Sequence, residues 1–157
     1  GPRSLGARSI LADPRNLNSK ARVNQLLKRR EWFMPYAPAI SVRGGRTVFL
    51  AGVTAAPVYH HHPHRPEEFD AMPRDMEGQS RAALENLKRS LEAVGGSFAD
   101  IVAANRYVTD LSDQDSLNRV WGEYFGDAKP TTTTVQVVQL ATDPRCLLEI
   151  NAIAIID

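Results

Sequence analysis

Near the end of the chain, polar side chains stand where apolar ones would be expected. Leu147-Leu148-Glu149-Ile150-Asn151-Ala152-Ile153-Ala154-Ile155-Ile156 reads as a strand. Its two-residue period puts Glu149 and Asn151 on one face and Leu148, Ile150, Ala152 and Ala154 on the other. A strand so rich in Ile and Leu faces water on neither side, so a carboxylate within it needs a reason. It can belong to a functional site, or serve as a buried, hydrogen-bonded structural acid. Upstream, Lys129-Pro130-Thr131-Thr132-Thr133-Thr134-Val135-Gln136-Val137 reads as a second strand, with Thr132, Thr134 and Gln136 on one face and Thr133, Val135 and Val137 on the opposite one. If the two strands are neighbours, the hydroxyl stripe meets Glu149 and the pair forms a candidate site.

The other residue types with chemical reach are four histidines, all within Tyr59-His60-His61-His62-Pro63-His64-Arg65-Pro66. In an extended segment His60, His62 and His64 point one way, as metal ligands would. They share one proline-broken segment, however, with no cysteine or carboxylate at matched spacing, whereas zinc sites usually draw ligands from fixed elements. The expectation is a surface or subunit-contact loop with no metal and no cofactor.

Composition narrows the partners. At 157 residues and 17.4 kDa the chain suits one domain with a real core. A formal net charge of +1 gives no overall field to hold nucleic acid or an anionic membrane. The run Lys28-Arg29-Arg30 has no interleaved aromatics to stack bases, so nucleic acid is an unlikely partner and RNA cleavage the weakest functional reading. The single cysteine, Cys146, excludes an internal disulfide and fits a reducing compartment. With no apolar run long enough for a bilayer span or a signal segment, a cytoplasmic location and no membrane contact are expected.

The elements that must position these residues follow from periodicity. Residues 1–31 are basic and weakly patterned, with Ala21, Val23 and Leu26-Leu27 on one side of a possible short helix, and read as an N-terminal extension. The domain is expected over 32–157, with a His/Pro-rich loop insertion at about 55–75. Ala39–Val42 and Thr47–Ala51 around Arg43-Gly44-Gly45-Arg46 predict a hairpin. Ser80, Leu84, Leu87, Leu91 and Val94 predict a helix from Met76 to Val94, ended by Gly95-Gly96. A strand is expected from Ile101 to Thr109. Ser112 and Asp115, at capping-box spacing, predict the start of a second helix along Leu117, Val120-Trp121 and Tyr124-Phe125, closed by Gly126. Two amphipathic helices and five strands imply an α+β fold, one sheet with both helices on one face. The other face must be covered by the histidine loop or by further subunits.

Together these residues resemble the Rid/YjgF family. The resemblance is carried by Asn86-Leu87, Val94-Gly95-Gly96, Val108-Thr109-Asp110-Leu111, Asn118 ahead of Tyr124-Phe125, Pro130 before the threonine strand, and Glu149-Ile150-Asn151-Ala152-Ile153-Ala154. Tyr36 and Ala51-Gly52 match upstream positions, so it spans roughly residues 34 to 156. It implies a chorismate-mutase-like α+β fold and a homotrimer with sheets facing inward and ligand clefts between subunits. It further implies, for many members, hydrolysis of small enamines and imines to ammonia and a 2-keto acid without metal or organic cofactor. In those members an arginine two residues after the proline clamps the substrate carboxylate, and a glutamate in the last strand helps hold the attacking water. Carried over, that glutamate is Glu149, and the substrate-binding positions are Tyr36, Ala51, Gly52, Asn118, Thr132 and Thr134.

The arginine is absent: its position is Thr132, with Thr134 where a cysteine is frequent and Ala51 where a serine is frequent. A bidentate arginine supplies two charge-assisted bonds of roughly 1.5 to 3 kcal/mol each, against about 1 kcal/mol for a neutral hydroxyl. Losing at least about 2 kcal/mol weakens a carboxylate ligand some thirtyfold. Thr132 therefore argues for a C=N substrate lacking the 2-imino acid carboxylate handle, or for a non-catalytic trimer that binds a metabolite or a protein. Arg43, Arg106, Arg119 and Arg145 are the cations that could restore charge from another direction.

Overall fold

The computed structural model describes residues 36–157. The extension expected over 1–31 and the segment from Trp32 to Pro35 lie outside the described residues. Four strands and two helices follow: β1 (Arg46–Val53), α1 (Met76–Ala93), β2 (Ile101–Val108), α2 (Gln114–Phe125), β3 (Thr131–Gln136) and β4 (Leu148–Ile156). The sheet order is β1-β4-β2-β3, with β2 and β3 parallel and β4 antiparallel to both β1 and β2. The α+β expectation holds, with one strand fewer.

The missing strand is Ala39–Val42. Gly44 and Gly45 do turn the chain with φ of 79° and 77°, but the segment before them pairs with nothing in the sheet. The reason lies at Ala37, whose amide donates to the Pro130 carbonyl at 3.1 Å, next to β3. Because β3 and β1 are opposite edges, a chain tied to the first must cross the domain before starting the second. It therefore cannot fold back on β1 as a hairpin arm.

Strand β4 has the longest apolar run and takes an internal position, paired on both sides. Its residues alternate buried and half-buried over all nine positions, and Leu148, Ile150, Ala152, Ala154 and Ile156 face the helices. There they join Leu84, Leu87 and Leu91 of α1 and Leu117, Val120, Trp121 and Phe125 of α2 in one core. Both helices thus cover one face, as their periodicity requires. Helix α1 starts at Asp75, whose carboxylate accepts from the Gly78 amide at 2.8 Å. It ends in paired Gly95 N–H to Glu92 carbonyl and Gly96 N–H to Leu91 carbonyl bonds, with Gly95 at φ 80°. The capping box expected at Ser112 and Asp115 does not form. A 3₁₀ turn, Leu111–Asp113, precedes α2, and the Ser112 amide is taken by the Asp110 carboxylate at 2.8 Å. Asp110 thus captures the donor side of that turn one element early.

The histidine segment folds over a second, smaller core of Ala56, Phe69, Met72, Leu140 and Cys146. Asn86 fastens the start of this loop by donating to the Thr54 and Ala56 carbonyls, both at 2.9 Å. Fully buried Gln79 ties its end to the approach to β4, donating to the Pro73 and Arg145 carbonyls and accepting from the Leu147 amide. This layer packs against Tyr107 and Val137 at one end of the second sheet face and leaves the rest of that face open. Phe49 there is 77% exposed. The loop is only a partial cover.

Candidate functional site

Cross-strand neighbours share a sheet face, so register assigns every predicted site residue to a side. Glu149 stands opposite Tyr107 and Asn151 opposite Asn105, on the open face. Thr132 stands opposite Ala104 and Thr134 opposite Arg106, on the helix face, because Ala104 belongs to the main core. The hydroxyl stripe and Glu149 are therefore on opposite sides of the sheet, and β2 separates their strands. The condition for the stripe to meet Glu149, that β3 and β4 adjoin, is not met. The central place that would bring them together is taken by β2, which pairs with both.

On the open face the structure brings together Glu149, Gly52 and Ala51. Between the pairs Leu50–Ala152 and Val53–Ile150 the register shifts, so Ala51 and Gly52 both stand against Asn151 in a β-bulge. The Glu149 side chain lies over the glycine of this bulge. A Cβ built on Gly52 would sit 2.9 Å from Glu149 Cδ and 3.2 Å from its Cγ, and closer still to a carboxylate oxygen. Gly52 is thus a place of close approach, the approaching group being the carboxylate itself. Gly52 and Glu149 line a cleft of about 300 Å³ with Tyr107, Gln139, Leu140 and Asn151. No donor among the described residues bonds the Glu149 carboxylate. Asn151 Oδ1 is likewise buried without a partner. Gly52→Ala is expected to push the carboxylate out of place and cost about a hundredfold in whatever reaction Glu149 serves, while the urea midpoint changes little. Parallel kinetic and unfolding measurements check both halves.

The second group assembles on the other side, around Arg106. Its Nε donates to Thr134 Oγ1 at 2.9 Å and its Nη1 to Asn118 Oδ1 at 3.0 Å, and the guanidinium lies 4.9 Å from the Trp121 ring centroid. Arg106 is 5% exposed, and burial pushes its pKa down to about 10. It therefore keeps its charge at neutral pH without a carboxylate partner among the described residues. Thr132 turns its hydroxyl to the Pro130 carbonyl at 3.3 Å.

The other candidate cations are committed or distant. Arg119 forks onto Glu77, Arg145 bonds Asp143 and Asp70, and Arg43 is exposed beside the Gly44-Gly45 turn. Tyr36 is 37% exposed and, among the described residues, makes no hydrogen bond or ring contact with either group. Its neighbour Ala37 is the residue bonded beside β3. Asn118, Thr132 and Thr134 thus fall together, as do Ala51, Gly52 and Glu149. Nothing in the sequence pattern marks Trp121 or Tyr107 as a neighbour of these groups. Arg106 had a legible signal: it occupies the inward parity of β2, between Ala104 and Val108.

The chain matches the family described as Endoribonuclease L-PSP over residues 28–156. The RutC family protein PH0854 of Pyrococcus horikoshii is 37% identical over 120 residues, covering 76% of this chain and 86% of that protein. Escherichia coli TdcF, provisionally named a reactive intermediate deaminase, is 38% identical over 87 residues, covering 54% of this chain and 66% of its own. The crystal structure of TdcF with bound serine superposes with a TM-score of 0.59 at 30% identity, covering 80% of this chain and 91% of that one. Rv2704 of Mycobacterium tuberculosis, a member of the YjgF/YER057c/UK114 family, superposes with a TM-score of 0.58 at 31% identity, covering 73% and 82%. With its mixed four-stranded sheet and two helices on one face, and with the match running through most of its length, the chain belongs to the Endoribonuclease L-PSP family, that is, to the YjgF/Rid proteins.

Proposed function

We propose that the protein hydrolyses a small enamine or imine, one not held by the arginine–carboxylate clamp that Thr132 lacks. The observation that carries this reading is the Glu149 carboxylate, lying over Gly52 in a cleft beside Asn151 Oδ1, with neither group accepting a bond from the described residues. Two uncommitted acceptors side by side select a donor-rich occupant, and a water next to a protonated imine nitrogen is such an occupant. The provisional name of TdcF points to the same class of chemistry.

The reaction needs little beyond orientation. An enamine becomes an imine when a proton moves to its carbon. Water then attacks the C=N carbon, giving a proton to Glu149 as the C–O bond forms and the π pair moves to nitrogen. Glu149 then returns that proton to nitrogen, making ammonia the leaving group; as the C–N bond breaks, the hydroxyl oxygen gives its proton to the Glu149 carboxylate and its electron pair forms the C=O bond, leaving a carbonyl compound.

Within one chain the sheet separates Glu149 from the group around Arg106, Thr134 and Asn118. A second copy could set its Arg106 side against the first copy's Glu149 face, covering Phe49 as well. A homotrimer with intersubunit sites fits this need. In it Arg106, with Nε and Nη1 already given to Thr134 and Asn118, stiffens one cleft wall and lends positive charge to it.

The test is release of ammonia and carbonyl product from a panel of imines generated in situ by amine and amino-acid oxidases, with oligomeric state measured by multi-angle scattering. Turnover of imines without a carboxylate, exceeding that of 2-imino acids, is expected. Thr132→Arg should raise 2-imino acid turnover by up to about thirtyfold. The gain is limited by Arg106, a like charge close by on the same face. Fast native turnover of 2-imino acids, unchanged in Thr132→Arg, would show instead that Arg106 already serves as the clamp. No turnover by a stable trimer, with tight ligand binding, would make it a binding module.

A further inference from the structure

We propose that His60, His62 and His64 form a divalent transition-metal site, independent of the Glu149 cleft. One ring nitrogen from each lies within 4.8 Å of the others. The ring centroids form a nearly equilateral triangle with sides of 4.9, 4.8 and 4.7 Å. With metal–nitrogen bonds of about 2.05 Å and tetrahedral angles, three imidazoles on one ion have centroids about 5 Å apart. The rings thus stand at nearly the required spacing, and modest side-chain rotation brings the nitrogens to a common point.

Two further features prepare the cluster. His60 Nδ1 lies 2.8 Å from the Pro57 carbonyl, a group that can only accept. The proton therefore sits on Nδ1 and the Nε2 lone pair is free, the backbone-carbonyl arrangement that orients metal-bound imidazoles. His60 and His64 also rest edge-on against Phe69, with centroids at 5.3 and 5.6 Å, and Phe69 is fully buried. Two of the three rings are therefore held by core packing before any ion arrives.

The surrounding carboxylates are occupied elsewhere. Glu68 receives the ring and amide of His61, and Asp70 and Asp143 are bonded to Arg145. The donor set is three imidazoles with at least one position open, which suits zinc and its neighbours better than magnesium or calcium. The expectation of a metal-free loop rests on its ligands sharing one proline-broken segment. It is the folding of that segment onto Phe69 that argues the other way.

The experiment titrates zinc into the full chain, stripped with a chelator, in competition with a chromophoric indicator. Cobalt substitution reports the coordination geometry through its visible bands. One zinc per chain is expected, with His60→Ala, His62→Ala and His64→Ala each weakening binding at least about tenfold. His61→Ala is the control: its ring faces Glu68, outside the triangle, and affinity should stay within about threefold of native. Zinc should also raise the melting temperature of the native chain and not that of the triple variant. Equal losses for all four substitutions would reveal mere affinity of a histidine-rich surface and overturn the site, as would native binding no tighter than the triple variant's.

Discussion

Glu149→Gln is expected to retain the fold and oligomeric state and to lose between about a hundredfold and ten-thousandfold in turnover of the best imine substrate, the range for removing a positioned general base. The substitution keeps size and hydrogen-bonding reach but cannot draw a proton from water. Because Glu149 reaches over Gly52 into an open cleft instead of into the core, the urea midpoint should stay nearly unchanged. Asn118→Ala should also reduce turnover, by releasing the Arg106 Nη1 bond. The informative experiment mixes the two. If clefts form between copies, oligomers refolded from both variants contain some sites with an intact Glu149 from one chain and an intact Asn118 from the next. Activity should then reappear on mixing. Absence of recovery, in oligomers shown to be mixed, would place both residues' contributions within one chain and remove the intersubunit site.

Trp121→Ala should cost about 3 to 5 kcal/mol of stability, read from chemical denaturation. Trp121 is almost fully buried and stacks on Phe125 at a centroid distance of 4.1 Å and an interplanar angle of 13°. Its other neighbour is the Arg106 guanidinium. Truncation therefore opens a large cavity in the core and also removes the aromatic surface under a buried cation, where the ring's negative face offsets part of the desolvation cost. Trp121→Phe should recover part of both. If Trp121→Ala proved mild, below about 1 kcal/mol, the seam between α2 and the sheet would be more loosely packed than these contacts require. Arg106 would then need another source of stabilisation.

Much of the architecture could be read from local periodicity, because each element carries its own burial pattern. Leu84, Leu87 and Leu91 recur at helical spacing and are all fully buried. The alternation from Leu148 to Ile156 marked one buried face and placed Glu149 on the other. Gly95 and Gly126 ended their helices, both with positive φ, which a residue without a Cβ adopts at little steric cost. That Glu149 and Gly52 are candidate site positions was legible too, through the family pattern. Their physical relation, a carboxylate lying on a bulge glycine, was not. Periodicity assigns a face to each residue within its own strand but says nothing about which strands adjoin. Order in the sheet is decided by long-range pairing, so the interposition of β2 between β3 and β4, and the placement of Thr132 and Thr134 on the sheet face away from Glu149, came only with the tertiary structure. The same holds for Arg106, whose parity hinted at burial while its partners, Thr134, Asn118 and Trp121, lie 12 to 28 residues away in the chain. It holds as well for the histidines: their alternation allowed convergence, and the packing of His60 and His64 on Phe69 decided it.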